Sequence, residues 1–125
     1  MDAEWVRRVC LSLPGVTEEI LWGKDLVFKV AGKMFCVVSL EPGGVWLSFK
    51  VEDDAFAELV ERPGIVPAPY LARAKWIALE SEDAMPPREL KQGIEQSWEL
   101  VAARLPKRER ERLNALRRQS PPASA

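Results

Sequence analysis

"LVFKVAGKMFCVVSLEPGGVWLSFKV", residues 26–51, is the stretch from which the fold can be read. It holds three runs rich in β-branched and aromatic residues, at 26–30, 33–40 and 45–51, separated by Ala31-Gly32 and by the Glu-Pro-Gly-Gly of 41–44. Such side chains suit a pleated, half-buried surface, and a two-residue break ending in glycine suits a tight hairpin. The proline- and glycine-rich second break reads as another turn. In the last run Val45, Leu47, Phe49 and Val51 alternate with Trp46, Ser48 and Lys50. Joined by short turns, these runs predict an antiparallel meander with one buried face.

The neighbouring segments extend the pattern. "EILW" (19–22) adds β-formers on the N-terminal side, and Trp22 precedes Gly23-Lys24 in a predicted turn. Residues 3–13 carry Trp5, Val6, Val9, Cys10 and Leu13 at helical spacing, with Asp2 as N-cap, Glu4 near the positive end of the dipole, and Leu-Pro-Gly as the stop. After the meander, residues 52–64 predict a short helix capped by Asp53 or Asp54, facing the core with Phe56, Leu59 and Val60, and ended by Pro63-Gly64. "KWIALES" (75–81) reads as a last strand. Residues 86–105 predict a long helix: Pro87 suits its first turn, and Leu90, Ile94, Trp98, Val101 and Leu105 form one apolar stripe. A helix, a run of strands, a helix, a strand and a helix, segregated in this way, predict an α+β fold with helices on one face of an antiparallel sheet.

The chain has 125 residues, which suits one domain, placed here at 1–105. Residues 106–118 are expected to form a basic, solvated helix whose "KRERER" alternates in sign and whose thin apolar stripe is Leu113 and Leu116, and residues 119–125 a disordered tail. From residue 104 to 118 there are seven Lys/Arg against two Glu, a local charge of +5, which leaves −6 for the rest of a chain of net charge −1. A body this acidic can meet nucleic acid only through local patches. The chain has no histidine, so the commonest general base and metal ligand are missing. Cys10 and Cys36 sit in apolar periodic segments and read as reduced, buried thiols. Glu18, Glu19, Glu52, Asp53 and Asp54 read as capping or solvated carboxylates in place of metal ligands. "AGK" lacks the spacing of a phosphate-binding loop. No run approaches the roughly 18 apolar residues of a membrane span, and the N-terminus resembles no targeting peptide, so a cytoplasmic monomer is expected, without membrane contact.

"PAPYLARAKW" (67–76) mixes two prolines with two aromatics that bracket an arginine and a lysine. One reading makes it a stiffened surface loop in which Arg73 and Lys75 meet phosphate while Tyr70 or Trp76 stacks on a base. The other packs Trp76 and leaves the charges in solvent. Trp76 falls on the face opposite Ile77 and Leu79, where a large aromatic needs a reason unless a helix covers that face too. Trp46 and Lys50 lie opposite Leu47 and Phe49. With Trp22, Arg73, Lys75 and Trp76 they would make one basic, aromatic surface if the strands are neighbours.

"SLPGVTEE" (12–19), "LVFKVAGKMFCVVSL" (26–40), "PGIVPAPYLARAKWIAL" (63–79) and "IEQSWELVAARLPK" (94–107) together resemble the MmcQ/YjbR family, in that family's order and spacing, over nearly the whole chain to about Leu113. The resemblance implies a small bacterial protein whose fold is likened to frataxin (CyaY), to type III secretion chaperones and to the "double wing" DNA-binding motif. Many members carry a histidine ahead of the Lys-Trp pair. "YLARAKW" has none here, so no role attached to that histidine carries over. The expectation is a non-enzymatic, cofactor-free module that binds DNA or RNA weakly, with Arg73, Lys75, Trp76, Tyr70, Lys50, Trp46 and Lys24 as candidate contacts. The alternative is a protein-interaction or chaperone-like adaptor that uses exposed aromatics.

Overall fold

Asp2 starts the first helix as predicted. The backbone N–H of Trp5 donates to Asp2 Oδ1 at 2.9 Å, which opens α1 (Ala3–Leu11). The computed structural model describes residues 2–41 and 43–119. α1 ends two residues earlier than its apolar pattern suggests. Val6, Val9 and Cys10 are buried, Leu13 packs from beyond the cap, and Trp5 is only half-buried against the core.

Six strands follow, interrupted by one helix: β1 (Val16–Leu21), β2 (Asp25–Val30), β3 (Lys33–Ser39), β4 (Leu47–Lys50), then α2 (Asp53–Leu59), β5 (Ile65–Pro67) and β6 (Trp76–Leu79). They form one sheet in the order β1-β2-β3-β4-β6-β5, with every neighbouring pair antiparallel. Ala31 and Gly32, both at positive φ (49° and 80°), close the β2–β3 hairpin where the sequence predicts it. β5 was not anticipated. Three residues between Gly64 and Pro69 are too few to show a strand period, and β6 recruits them as its outer neighbour.

α3 (Pro87–Ala102) lies across one face of the sheet with α1 beside it. Leu90, Ile94 and Trp98 are buried, and Val101 packs at the edge of the same core. These side chains meet Phe28, Phe35, Cys36, Leu47, Phe49, Ile77 and Leu79 from the sheet. The β2–β3 register slips at Phe28/Lys29: Phe28 pairs with Cys36 and Lys29 with Met34, so Phe35 is the extra residue of a β-bulge. Both Phe35 and Cys36 therefore sit in the helix-side core, which strict alternation forbids. The bulge carbonyl receives the hydroxyl of fully buried Ser97 on α3 at 2.6 Å, and that hydroxyl accepts the backbone N–H of Lys50 at 3.0 Å. Ser97 thus bridges β3 and β4 where their direct pairing stops. Cys10 and Cys36 are reduced and buried; burial, with the neighbouring Cys36 thiol, pushes the Cys10 thiol well up.

α4 (Lys107–Gln119) is exposed along most of its length, and of its thin apolar stripe Leu116 stays exposed while Leu113 docks. Leu113 is buried in the main core against Gly15, where an added Cβ would stand 2.7 Å from Leu113 Cδ2. The Arg117 guanidinium lies 4.6 Å from the Trp98 ring centroid and pairs with Glu99. The ordered unit therefore runs past residue 105 into α4. The tail expected at 119–125 lies, Gln119 apart, outside the described residues. α2 is capped at Glu52, whose side chain makes no capping bond; Asp53 and Asp54 occupy the first turn, and Phe56, Leu59 and Val60 are partly buried. Among the described residues no helix is long and apolar enough to cross a membrane.

Candidate ligand-binding pocket on the helix-free sheet face

Among the described residues the second face of the sheet carries no α-helix, but it has its own apolar layer. Ala68, Trp76 and Ala78 are buried there, with Met34, Val37, Val45, Val66 and Leu71 packed around them. Residues 67–76 cover part of this face. The N–H of Ala68 donates to the Trp76 carbonyl at 3.0 Å, which closes the excursion at its base. A 3₁₀ turn at Ala72–Ala74 follows, and Lys75 at φ 62° turns the chain into β6. Trp76, 5% exposed, is the packed anchor of this loop and not an exposed stacking platform. Trp76 is packed, but its cover is its own loop and not the helix that the sequence reading offered.

The cations separate accordingly. Lys75 Nζ lies 5.0 Å from the Phe56 ring centroid on α2. Lys50 Nζ donates to the Ala74 carbonyl, which ties β4 to the 3₁₀ turn. Burial, and then the positive Arg104, lower the Lys50 pKa, opposed by Asp53. Arg73 is exposed. The single basic, aromatic surface expected from the sequence is therefore divided: Trp76 is inside, Lys50 and Lys75 are engaged with the fold, and only part of the set shares a cavity.

That part is Trp22 and Trp46, which together with two other candidate contacts, Lys24 and Tyr70, line a pocket of about 570 Å³ on this face. Its apolar wall comes from Met34, Val37, Val45 and Leu71, and its other charges are Asp25 and Glu41. The volume falls within the range typical of small-ligand sites, roughly 300–1,000 Å³. Sequence reasoning missed Met34, Val37, Asp25 and Glu41. The available signal was that "MFCVV" is apolar at successive positions, as in strands covered on both faces. Val45 also departs from expectation. It packs on the helix-free face, while Trp46 touches the main core as well as lining the pocket. β4 begins only at Leu47, so the alternation does not extend back to Val45.

The backbone adds a further observation. Among the described residues, four that are not glycine have positive φ: Trp22 (57°), Ala31 (49°), Tyr70 (64°) and Lys75 (62°). Two of these are aromatic, line this one pocket and are largely exposed, Trp22 at 70% and Tyr70 at 104%. A bulky side chain in the left-handed region costs about 1–2 kcal/mol, and neither residue recovers that cost by burial.

Three of the carboxylates read above as capping or solvated have side-chain partners in the fold. Glu18 takes a forked contact from Arg7 at 2.9–3.0 Å, which raises the Arg7 pKa; Glu19 pairs with Lys29, and Glu52 accepts from Gln96 at 3.0 Å. Among the described residues no cluster of three or more His, Cys, Asp or Glu could hold a metal ion.

Comparison with known proteins agrees with this architecture. The chain is 30% identical over 116 residues to the uncharacterised protein YbdF of Escherichia coli O157:H7, covering 88% of this chain and 92% of YbdF. A crystal structure of a Deinococcus radiodurans protein with a DUF419 domain superposes with a TM-score of 0.81 at 26% identity, covering 90% of this chain and 88% of that one. A Pseudomonas syringae protein shares the fold with a TM-score of 0.66 at 20% identity, covering 80% and 98% of the two chains. The sequence also matches the YjbR family across residues 11–100, from the end of α1 through the sheet and most of α3, and the chain belongs to that family.

Proposed function

We propose that this protein is a non-enzymatic binding module that captures an apolar or aromatic group of a partner in the pocket of its helix-free sheet face. The observation that carries this reading is the pair Trp22 and Tyr70. Both are exposed, both are held in the left-handed region, and both stand on one apolar cavity. Backbone strain of this kind clusters at ligand clamps and switch regions, and an exposed turn without such a duty would favour glycine or asparagine. The adaptor reading is thereby favoured over nucleic-acid binding. The pocket wall is apolar, its charges are one lysine against two carboxylates, and Lys50 and Lys75 have partners within the fold.

The test is a titration with a neutral solvatochromic dye. Wild type should blue-shift the dye's emission, and the Trp22→Ala/Tyr70→Ala double variant should lose the shift while melting close to the wild-type temperature. An unchanged shift in the double variant would sink the reading. So would a short DNA or RNA that binds at or below about 100 μM and is lost in the same variant, which would restore the nucleic-acid reading.

A further inference from the structure

The pocket's chemistry specifies the charge of its ligand. We infer that it recognises an organic cation, an alkylated ammonium group borne on an apolar body; this deepens the binding reading above and rests on it. Three aromatic side chains, Trp22, Trp46 and Tyr70, line one cavity. Aromatic rings present a negative face, tryptophan most strongly, and rings gathered around a site form a cage for quaternary and alkylated ammonium. Among the described residues the lining carboxylates, Asp25 and Glu41, outnumber the lining cations, of which there is one, Lys24. No ion pair among the described residues engages any of these three groups. Lys24 is exposed at the hairpin tip, and its long stem lets the ammonium stay in water.

An anion entering the same cavity would meet two carboxylates and an apolar wall. The fold also leaves few cations for it, because Lys75 is spent on Phe56 and Lys50 on a backbone carbonyl. Alkyl groups around the nitrogen matter because they weaken its hydration, so less is lost when it leaves water for the rings. A cavity of about 570 Å³ is several times the volume of a trimethylammonium group, so the remainder of the ligand rests on the Met34–Val37–Val45 wall.

Three isosteric probes separate charge from shape: choline, the neutral 3,3-dimethylbutan-1-ol and the anionic 3,3-dimethylbutyrate. Each is titrated into ¹⁵N-labelled protein while the five indole N–H signals are followed. Choline should shift the Trp22 and Trp46 signals and leave those of Trp5 and Trp98 in place. The alcohol should bind about tenfold more weakly, and the carboxylate more weakly still. The Asp25→Asn/Glu41→Gln variant should lose choline affinity by roughly threefold or more while its binding of the alcohol is unchanged. If the alcohol binds as tightly as choline, the pocket is an apolar site, the binding reading stands and the cation inference falls. Tighter binding of the carboxylate overturns it too. So does silence of both indoles with choline up to about 50 mM, the weak limit for so small a ligand; the neutral dye then decides separately whether the pocket binds anything.

Discussion

Replacing Ser97 by alanine removes one oxygen atom and breaks two contacts that hold the sheet together at its bulge. The hydroxyl donates to the Phe35 carbonyl at 2.6 Å and accepts the Lys50 N–H at 3.0 Å, on a residue with no solvent exposure. Both backbone groups belong to strands whose direct pairing stops there, so neither has a ladder partner to turn to. A buried polar group left without a partner costs about 1–3 kcal/mol. The space left by one oxygen is too small to admit a water in compensation. Two such groups, partly relaxed, give an expected loss of about 2–4 kcal/mol. With an unfolding entropy of about 2.1 cal/mol/K per residue over 125 residues, each kcal/mol lowers Tm by roughly 4 °C. The Ser97→Ala variant should therefore melt about 8–16 °C below wild type. Its urea midpoint should fall at an unchanged denaturant slope, because the surface exposed on unfolding is the same. Ser97→Cys, close in size and a weak donor, should lie between the two. A loss under about 1 kcal/mol would refute the claim that this hydroxyl substitutes for the missing ladder bonds.

Three further outcomes are expected. Tyr70→Gly should stabilise the fold by about 0.5–1 kcal/mol in urea unfolding and weaken dye binding at the pocket, because it relieves a φ of 64° on a side chain with no burial to lose; Tyr70→Ala, which keeps the strain, should not stabilise. Gly93→Ala should destabilise by about 1–3 kcal/mol despite alanine's better helix propensity, since its Cβ would stand 2.9 Å from Phe49 Cε2 in the packed core; a stabilised variant would show that the Phe49 ring yields. The Arg62 hydrogen bond holds the Glu89 carboxylate below its ordinary value of 4.5, so this pair stabilises the fold above that pH and the stabilisation is lost as pH falls through the lowered pKa. The stability gap between wild type and Glu89→Gln should accordingly be present at neutral pH and close as the pH falls below the ordinary carboxylate range; a gap that widens on acidification would contradict the assignment.

What the sequence determined by itself is what short segments encode. Asp2 caps α1, Ala31-Gly32 turns β2 into β3, and the Leu90–Ile94–Trp98 stripe seats α3, because a cap, a two-residue turn and a helical period each need about ten residues or fewer to be expressed. Antiparallel order followed from the short turns, and the helix-covered face followed from the apolar alternation of Leu47, Phe49 and Val51. Of the candidate site, the residue types were legible: Trp22, Lys24, Trp46 and Tyr70 were all singled out, and they share the pocket. Their company was not, because it depends on partners far away in the chain. Trp76 is buried because its own loop folds back through the Ala68–Trp76 hydrogen bond, and Lys50 is committed because that fold-back brings the Ala74 carbonyl within reach. β5 is paired along the edge that β6 offers, the carbonyl of the Phe35 bulge is met by Ser97 on α3, and α4 docks where Gly15 leaves room for Leu113. A period of two or of 3.6 residues says which side of an element is apolar. Which element covers it, and which cations remain available to a ligand, is decided by contacts between distant segments that tertiary packing alone creates.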